Sequence, residues 1–245
     1  MDFEFLREIR VQELERIARD IPAGARILEI GSGAGWQAKQ LASYGHEVEG
    51  IDVVGNYINY DYRHVRVWDV KIYDGQHIPF PEKTFDIVFS SNVLEHIPHV
   101  ESFQREVNRV LKDEGLCIHV MPSASWRFWS SLTYYWVRIK SLFRSGKGKS
   151  APGTDTEVAK VSLLRKLLPL RHGERGNVIS ELYLFSAYAW KSLFKKTGWK
   201  VVRIDKNRLF YTGEMALGRR LSLRARKKLS GILGSSCNIF YLEKR

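Results

Sequence analysis

Two cysteines in 245 residues exclude a disulfide framework, and no histidine–cysteine cluster has the spacing of a zinc site. Acids paired with histidine in a metal-ligating pattern are also missing, so the sequence implies no metal. Proline occurs only 7 times, and no run of about 18 uncharged apolar residues exists, so no segment is expected to span a bilayer. The first ten residues, MDFEFLREIR, carry acids where a secretory signal needs bases, which makes the cytoplasm the expected address. What remains is ample for folding. Hydrophobic residues make up 44% and aromatics 12%, enough for one domain, or one domain with a large insertion.

Charge is unevenly placed. The net charge is +12, yet residues 1–121 hold 13 Lys/Arg against 20 Asp/Glu, and residues 122–245 hold 26 against 7. The second half is therefore expected to meet something anionic: nucleic acid, anionic lipid or a phosphate-bearing substrate. A basic solvated surface is the plainer alternative.

Residues 1–121 alternate strand and helix patterns. Helices are expected over Phe3–Arg19, Trp36–Tyr44 and His99–Lys112, and strands over Ala25–Ile30, Glu47–Ile51, Val65–Val70, Phe85–Ser90 and Leu116–Met121. That alternation predicts a parallel, doubly wound sheet. Residues 122–180 break it. Ser125–Arg144 reads as a helix with Trp129, Leu132, Trp136, Ile139 and Phe143 on one face, followed by a polar Gly-rich stretch (145–156) and an apolar segment, Val158–Leu170. Ser186–Gly198 resumes as helix, Lys200–Ile204 and Cys237–Leu242 as strands, with a basic helix Leu217–Leu233 between them.

The strongest local signal is Glu29-Ile30-Gly31-Ser32-Gly33-Ala34-Gly35, directly after a strand and opening a helix. Glycines there let the backbone turn tightly and approach a ligand. The dinucleotide pattern G-x-G-x-x-G is not met, because Trp36 stands where its third glycine belongs, and no G-K-[ST] follows. Asp52 ends the second strand, where carboxylates accept from ribose hydroxyls. Asp74-Gly75 follows, and Asn92-Val93-Leu94-Glu95-His96-Ile97 comes after the fourth strand.

Together these four ordered motifs resemble the class I S-adenosylmethionine-dependent methyltransferases over residues 25–121, with the C-terminal helix and strands fitting the same architecture. The resemblance implies an α/β fold: a doubly wound, Rossmann-like, seven-stranded, mostly parallel sheet with a helical insertion after the fifth strand. It implies one methyltransferase domain over 1–245, with a cofactor-binding half (1–121), an aromatic and basic insertion lidding the acceptor (122–185), and elements completing the sheet (186–245). S-adenosyl-L-methionine is the implied cofactor. Gly31, Ser32, Gly33 and Gly35 would line its methionine end and Glu29 would help position its ammonium. Asp52 would take both ribose hydroxyls, and Val53 would lie against the adenine. Asp74 would accept from the adenine amino group while Gly75 donates to the ring; Asp69 competes with Asp74 for that role. Asn92 would complete the methionine side, and Trp36 would either cover the cofactor or pack.

For a hydroxyl acceptor, His96 is the expected general base, with Glu95 and His99 in reserve; a purely orienting role for His96 is the alternative. His119, inside an apolar strand, reads as a core histidine. Arg171-His172-Gly173-Glu174-Arg175-Gly176 is read as a loop over the active site. The aromatic insertion suits stacking on sugars or a membrane interface, and packing as a lid is the alternative. Residues 125–144 and 219–228 are the expected peripheral membrane contacts, which would bring part of the protein to the inner membrane face. The C-terminal stretch, with Leu184-Phe185-Ser186, Trp190, Leu193-Phe194, Gly198 and Phe210-Tyr211-Thr212-Gly213, resembles bacterial methyltransferases of surface-polysaccharide synthesis. This resemblance implies an anionic or glycan acceptor: a sugar of a lipid-linked or nucleotide-linked glycan. RNA base methylation, and a noncatalytic cofactor-binding subunit, are the competing readings.

Overall fold

A computed structural model of the chain describes residues 3–53, 66–145, 171–213 and 218–245. Helix α1 (Phe3–Ile17) leads into β1 (Arg26–Ile30), α2 (Trp36–Ser43), β2 (Glu47–Val53), β3 (Val70–Tyr73) and β4 (Phe85–Ser91). Next come α3 (Val100–Val110), β5 (Leu111–Pro122), α4 (Ala124–Ser145) and α5 (Ser180–Leu184). The chain closes with α6 (Ala187–Lys196), β6 (Trp199–Lys206), α7 (Leu223–Leu233) and β7 (Cys237–Lys244). The sheet has seven strands in the order β3-β2-β1-β4-β5-β7-β6, and β7 alone runs antiparallel to both of its neighbours.

The sheet is buried on both faces, which is why β1 and β4 read as nearly unbroken apolar runs rather than alternating ones. One layer buries Ile9, Leu14 and Ile17 of α1 against Ile27 and Phe89. The other buries Val100, Phe103, Val107 and Val110 of α3 with Trp190, Phe194 and Trp199. Each such side chain contributes about 1.5–3 kcal/mol by leaving water. His119 is fully buried in β5, with Nδ1 2.7 Å from Ser90 Oγ and Nε2 3.1 Å from Cys117 Sγ; burial pulls its pKa down to about 3.

Several expected boundaries shift. The third strand begins at Val70 and runs to Tyr73, so Asp69 precedes it and Asp74 follows it. The basic helix begins at Leu223, capped by the Ser222 hydroxyl accepting from Ala225 N–H at 3.3 Å, because Gly218–Arg220 forms a separate short turn. On α4 the expected single aromatic face divides. Trp129 turns inward and donates to the Leu233 carbonyl at 3.0 Å, while Leu132 and Trp136 point out, 51% and 59% exposed. The stretch 146–156, the segment Val158–Leu170 and Leu217 lie outside the described residues.

Candidate active site

Strand register decides where the site lies. Ile30 of β1 pairs with Ile51 of β2 on one side and Ser90 of β4 on the other, so Gly31, Asp52 and Ser91 emerge together at one sheet edge. Strand order reverses between β1 and β4, and ligands of such sheets bind at that crevice. Gly31 and Ser32 donate their N–H groups to the Ile51 carbonyl at 2.9 and 3.1 Å, folding the loop back over the strand ends. Gly31 has φ +73°, and a Cβ there would strike Val93; only glycine meets both demands. Gly33, at φ +55°, differs: its Cβ would meet only Asp52 Oδ2, at 3.9 Å, so the space above it is open.

The acids around this loop are unusual. Asp52 accepts from Gly33 N–H at 2.6 Å and from its neighbour Val53 N–H at 2.7 Å; partial burial still raises its pKa. Glu29 lies beneath the loop, 2% exposed, and its Oε2 has no hydrogen-bond partner among the described residues. Burial pushes its pKa up to about 7. A buried carboxylate with an orphaned oxygen below a glycine loop is a ready receptor for an ammonium group. Gly75 sits against Val53, whose Cγ1 would be 3.1 Å from a Cβ at that position.

Two expected site residues make contacts with other parts of the chain. The exposed Asp74 carboxylate accepts from the Gln76 and His77 N–H groups, at 2.7 Å each, and lies 2.8 Å from His77 Nδ1. Those contacts hold its pKa down at about 2. Asn92, at φ +55°, turns its amide towards α1; with the oxygen facing Arg10 it accepts from both guanidinium nitrogens at 2.8 and 2.9 Å. The contact of Arg10 with Asn92 was not legible in the sequence, because Arg10 lies in an ordinary amphipathic helix. It is anchored by Glu13 at 2.6 Å. The Arg7 guanidinium stands 3.7 Å from the ring centre of Trp36.

Beyond Val93, the short turn Leu94–His96 presents Glu95 and His96. Glu95 is 1% exposed, neither of its oxygens has a hydrogen-bond partner among the described residues, and burial pushes its pKa up to about 8. His96 is half-buried, and desolvation lowers its pKa. His99 is exposed at the start of α3. The loop after α4 brings in His172, whose ring lies 4.8 Å from that of His96 and 4.6 Å from Trp126. Burial pulls His172 down to about 3. The polar loop was thus expected over the site, while the convergence of His172 with Glu95 and His96 was not, because it joins positions far apart in the chain.

A family model described as a methyltransferase domain matches residues 3–204. Among curated relatives, the biotin biosynthesis bifunctional protein BioHC of Cellvibrio japonicus is 34% identical over 91 residues, 37% of this chain and 18% of that protein. The ubiquinone biosynthesis O-methyltransferase of Rhodopseudomonas palustris (strain TIE-1) is 26% identical over 137 residues, 50% of this chain and 51% of that protein. The chain thus spans about half the length of the latter and less of the former. A solved S-adenosylmethionine-dependent methyltransferase from Mesorhizobium loti superposes with a TM-score of 0.54 at 14% identity, covering 95% of this chain and 98% of that one. One from Methanosarcina mazei gives 0.55 at 18%, covering 93% and 96%. With its glycine loop, its strand-end acids and its sheet order, the chain belongs to the methyltransferase-domain family and has the fold of the S-adenosylmethionine-dependent methyltransferases.

Proposed function

We propose that this chain transfers a methyl group from S-adenosyl-L-methionine to a hydroxyl of a lipid-linked acceptor, a surface-glycan sugar being the acceptor we favour. The orphaned Glu29 oxygen and the open space over Gly33 fit the cofactor. When bound, it supplies a methyl group already activated on a sulfonium. The chain's own work is then binding and alignment. Glu29 faces the ammonium, Asp52 the ribose hydroxyls, and Val53 with Gly75 the adenine edge. Glu95 and His96 stand at the acceptor end, two and three residues beyond Val93, which lies against Gly31. Burial keeps the His96 imidazole neutral near pH 7, the form that can take a hydroxyl proton or hold a cation, while Glu95 is protonated there unless something positive joins it.

The observation that carries the lipid assignment is an exposed apolar stripe on α4. Phe128, Leu132, Tyr135 and Trp136 are 52%, 51%, 36% and 59% exposed, on a helix whose first turn places Trp126 against His172. Aromatic residues beside bases suit a membrane interface. The bases of 219–228 divide: Arg226 is buried, donating to the carbonyls of Leu221, Phe210 and Gly218, and Arg219 pairs with Glu4 and Glu8. Arg220, Arg224 and Lys228 stay exposed for anionic headgroups. No helix among the described residues is long and apolar enough to cross a membrane, so the contact would be peripheral. Relatives named for O-methylation in ubiquinone biosynthesis favour a second reading, a hydroxyl of an intermediate of that biosynthesis.

The test is label transfer from methyl-tritiated cofactor into fractionated cell extract. Label in lipid-extractable material, lost in Asp52→Ala, supports the proposal, and glycosidase release of that label favours the glycan over the second reading. Label confined to RNA overturns it.

A further inference from the structure

We infer that Glu95, His96 and His172 form a binding site for a divalent transition-metal cation such as Zn2+, which holds the acceptor's oxygen. The inference rests on the methyltransferase reading for its purpose but not for its geometry. One ligating atom from each side chain lies within 4.8 Å of the others. His96 Nε2 and His172 Nε2 are 3.8 and 4.0 Å from Glu95 Oε1. Ligands at about 2.0–2.1 Å around a tetrahedral cation stand roughly 3.3 Å apart, so closure needs side-chain movement of an ångström or so.

Two observations point to a cation rather than to chance proximity. First, both Glu95 oxygens are buried without a hydrogen-bond partner among the described residues. The neighbouring cationic side chains are already matched: Arg10 by Glu13 at 2.6 Å, and Arg127 by Glu181 at 2.7 Å. A buried carboxylate left so is destabilising unless protonated or joined by a positive charge. Second, the loop carrying His172 is clamped. Glu181 Oε1 accepts from both the His172 and Gly173 N–H groups at 2.8 Å, and Glu174 N–H donates to the Glu95 carbonyl at 2.8 Å. Gly173 is required there, because a Cβ would come within 2.8 Å of that same carbonyl. The backbone is thus fixed so that a distant histidine meets Glu95 and His96. Supported ligands of this kind are a feature of metal sites.

Two imidazoles and one carboxylate suit Zn2+ and its divalent neighbours rather than Mg2+ or Ca2+, which prefer all-oxygen shells. Three protein ligands leave a coordination position open for water or an acceptor hydroxyl. That site lies beside the residue packed on Gly31, at the acceptor side of the glycine loop.

The experiment titrates metal-free full-length protein with ZnCl2, read by calorimetry, and with CoCl2, read by visible absorption. One saturable site per chain is expected. His172→Asn and Glu95→Gln should each weaken it at least about tenfold, while His46→Asn, on the loop between α2 and β2, leaves it unchanged. Circular dichroism of the variants establishes that they fold. No saturable binding below about 1 mM, or equal binding by folded His172→Asn and Glu95→Gln, overturns the inference. S-adenosylhomocysteine is titrated into the same samples. If it binds and Zn2+ does not, the metal site alone falls; if Zn2+ binds at this site and the cofactor product does not, the metal site stands and the methyl-donor reading falls.

Discussion

At the scale of single residues, the site is governed by carboxylates taken out of water. Glu29 is the clearest case. Its pKa is about 7 when folded against an ordinary 4.5, so the folded state holds its proton more tightly than the unfolded state. The sign follows from linkage: between those values the native state binds more protons, so stability is full below about pH 4.5 and declines as pH rises to about 7. The decline attributable to Glu29 is on the order of 3 kcal/mol. Glu29→Gln should flatten that part of the profile, measured by denaturant unfolding between pH 5 and 7.5; an unchanged slope would refute the assignment. The same substitution should weaken cofactor binding, since Gln cannot neutralise an ammonium. Gly31→Ala tests the loop: the new methyl meets Val93 at a positive φ, and a stability loss of about 1–3 kcal/mol is expected together with lost cofactor binding.

At the scale of elements, the clamp between α4 and α5 decides whether His172 reaches the site. Arg127 and Glu181 form a buried ion pair, and Glu181 also holds two N–H groups of the histidine loop. Glu181→Ala removes the acceptor for both and one member of a buried ion pair, so about 3–5 kcal/mol of destabilisation is expected by thermal or urea unfolding. A change below about 1 kcal/mol would show the pair to be dispensable. This scale also shows what the sequence can and cannot reveal. The existence and order of most strands were legible because buried parallel strands carry nearly unbroken apolar runs, as in RILEI and FDIVFS. The placing of Asp52 beside the glycine loop was legible because local chain geometry sets it: the loop follows β1 directly and Asp52 stands at the end of the paired β2. Periodicity could not tell which face of α4 would be covered, since both faces carry aromatics; burial followed the partners, Trp126 on His172 and Trp129 on Phe210. The short Val70–Tyr73 strand was displaced because its expected range carries no more apolar pattern than its actual one. Nor could spacing reveal the meeting of Glu95, His96 and His172, which only the return of the chain over the sheet edge produces.

For the whole molecule, charge and exposure combine into a prediction about surfaces. The acidic first half folds into the strands and helices around the glycine loop, and the basic second half supplies α4 to α7 and the last two strands of the sheet. Replacing both Leu132 and Trp136 by Ser removes apolar surface that is already exposed, so stability should change little. Binding to anionic vesicles should fall by roughly tenfold or more in a sedimentation assay, because each buried side chain of this size contributes about 1.5–3 kcal/mol. Equal vesicle binding by the double variant would remove the stripe from the membrane account.

The claim beneath all of this is that the glycine loop, Glu29 and Asp52 form the seat of the methyl donor. Calorimetric titration of S-adenosylhomocysteine into the full chain and into Asp52→Ala tests it most directly. The account predicts one site per chain, weakened in the variant by about 1.5–3 kcal/mol, the range for hydrogen bonds to a charged group. Absence of binding to the unmodified chain, or equal affinity in Asp52→Ala, would contradict it.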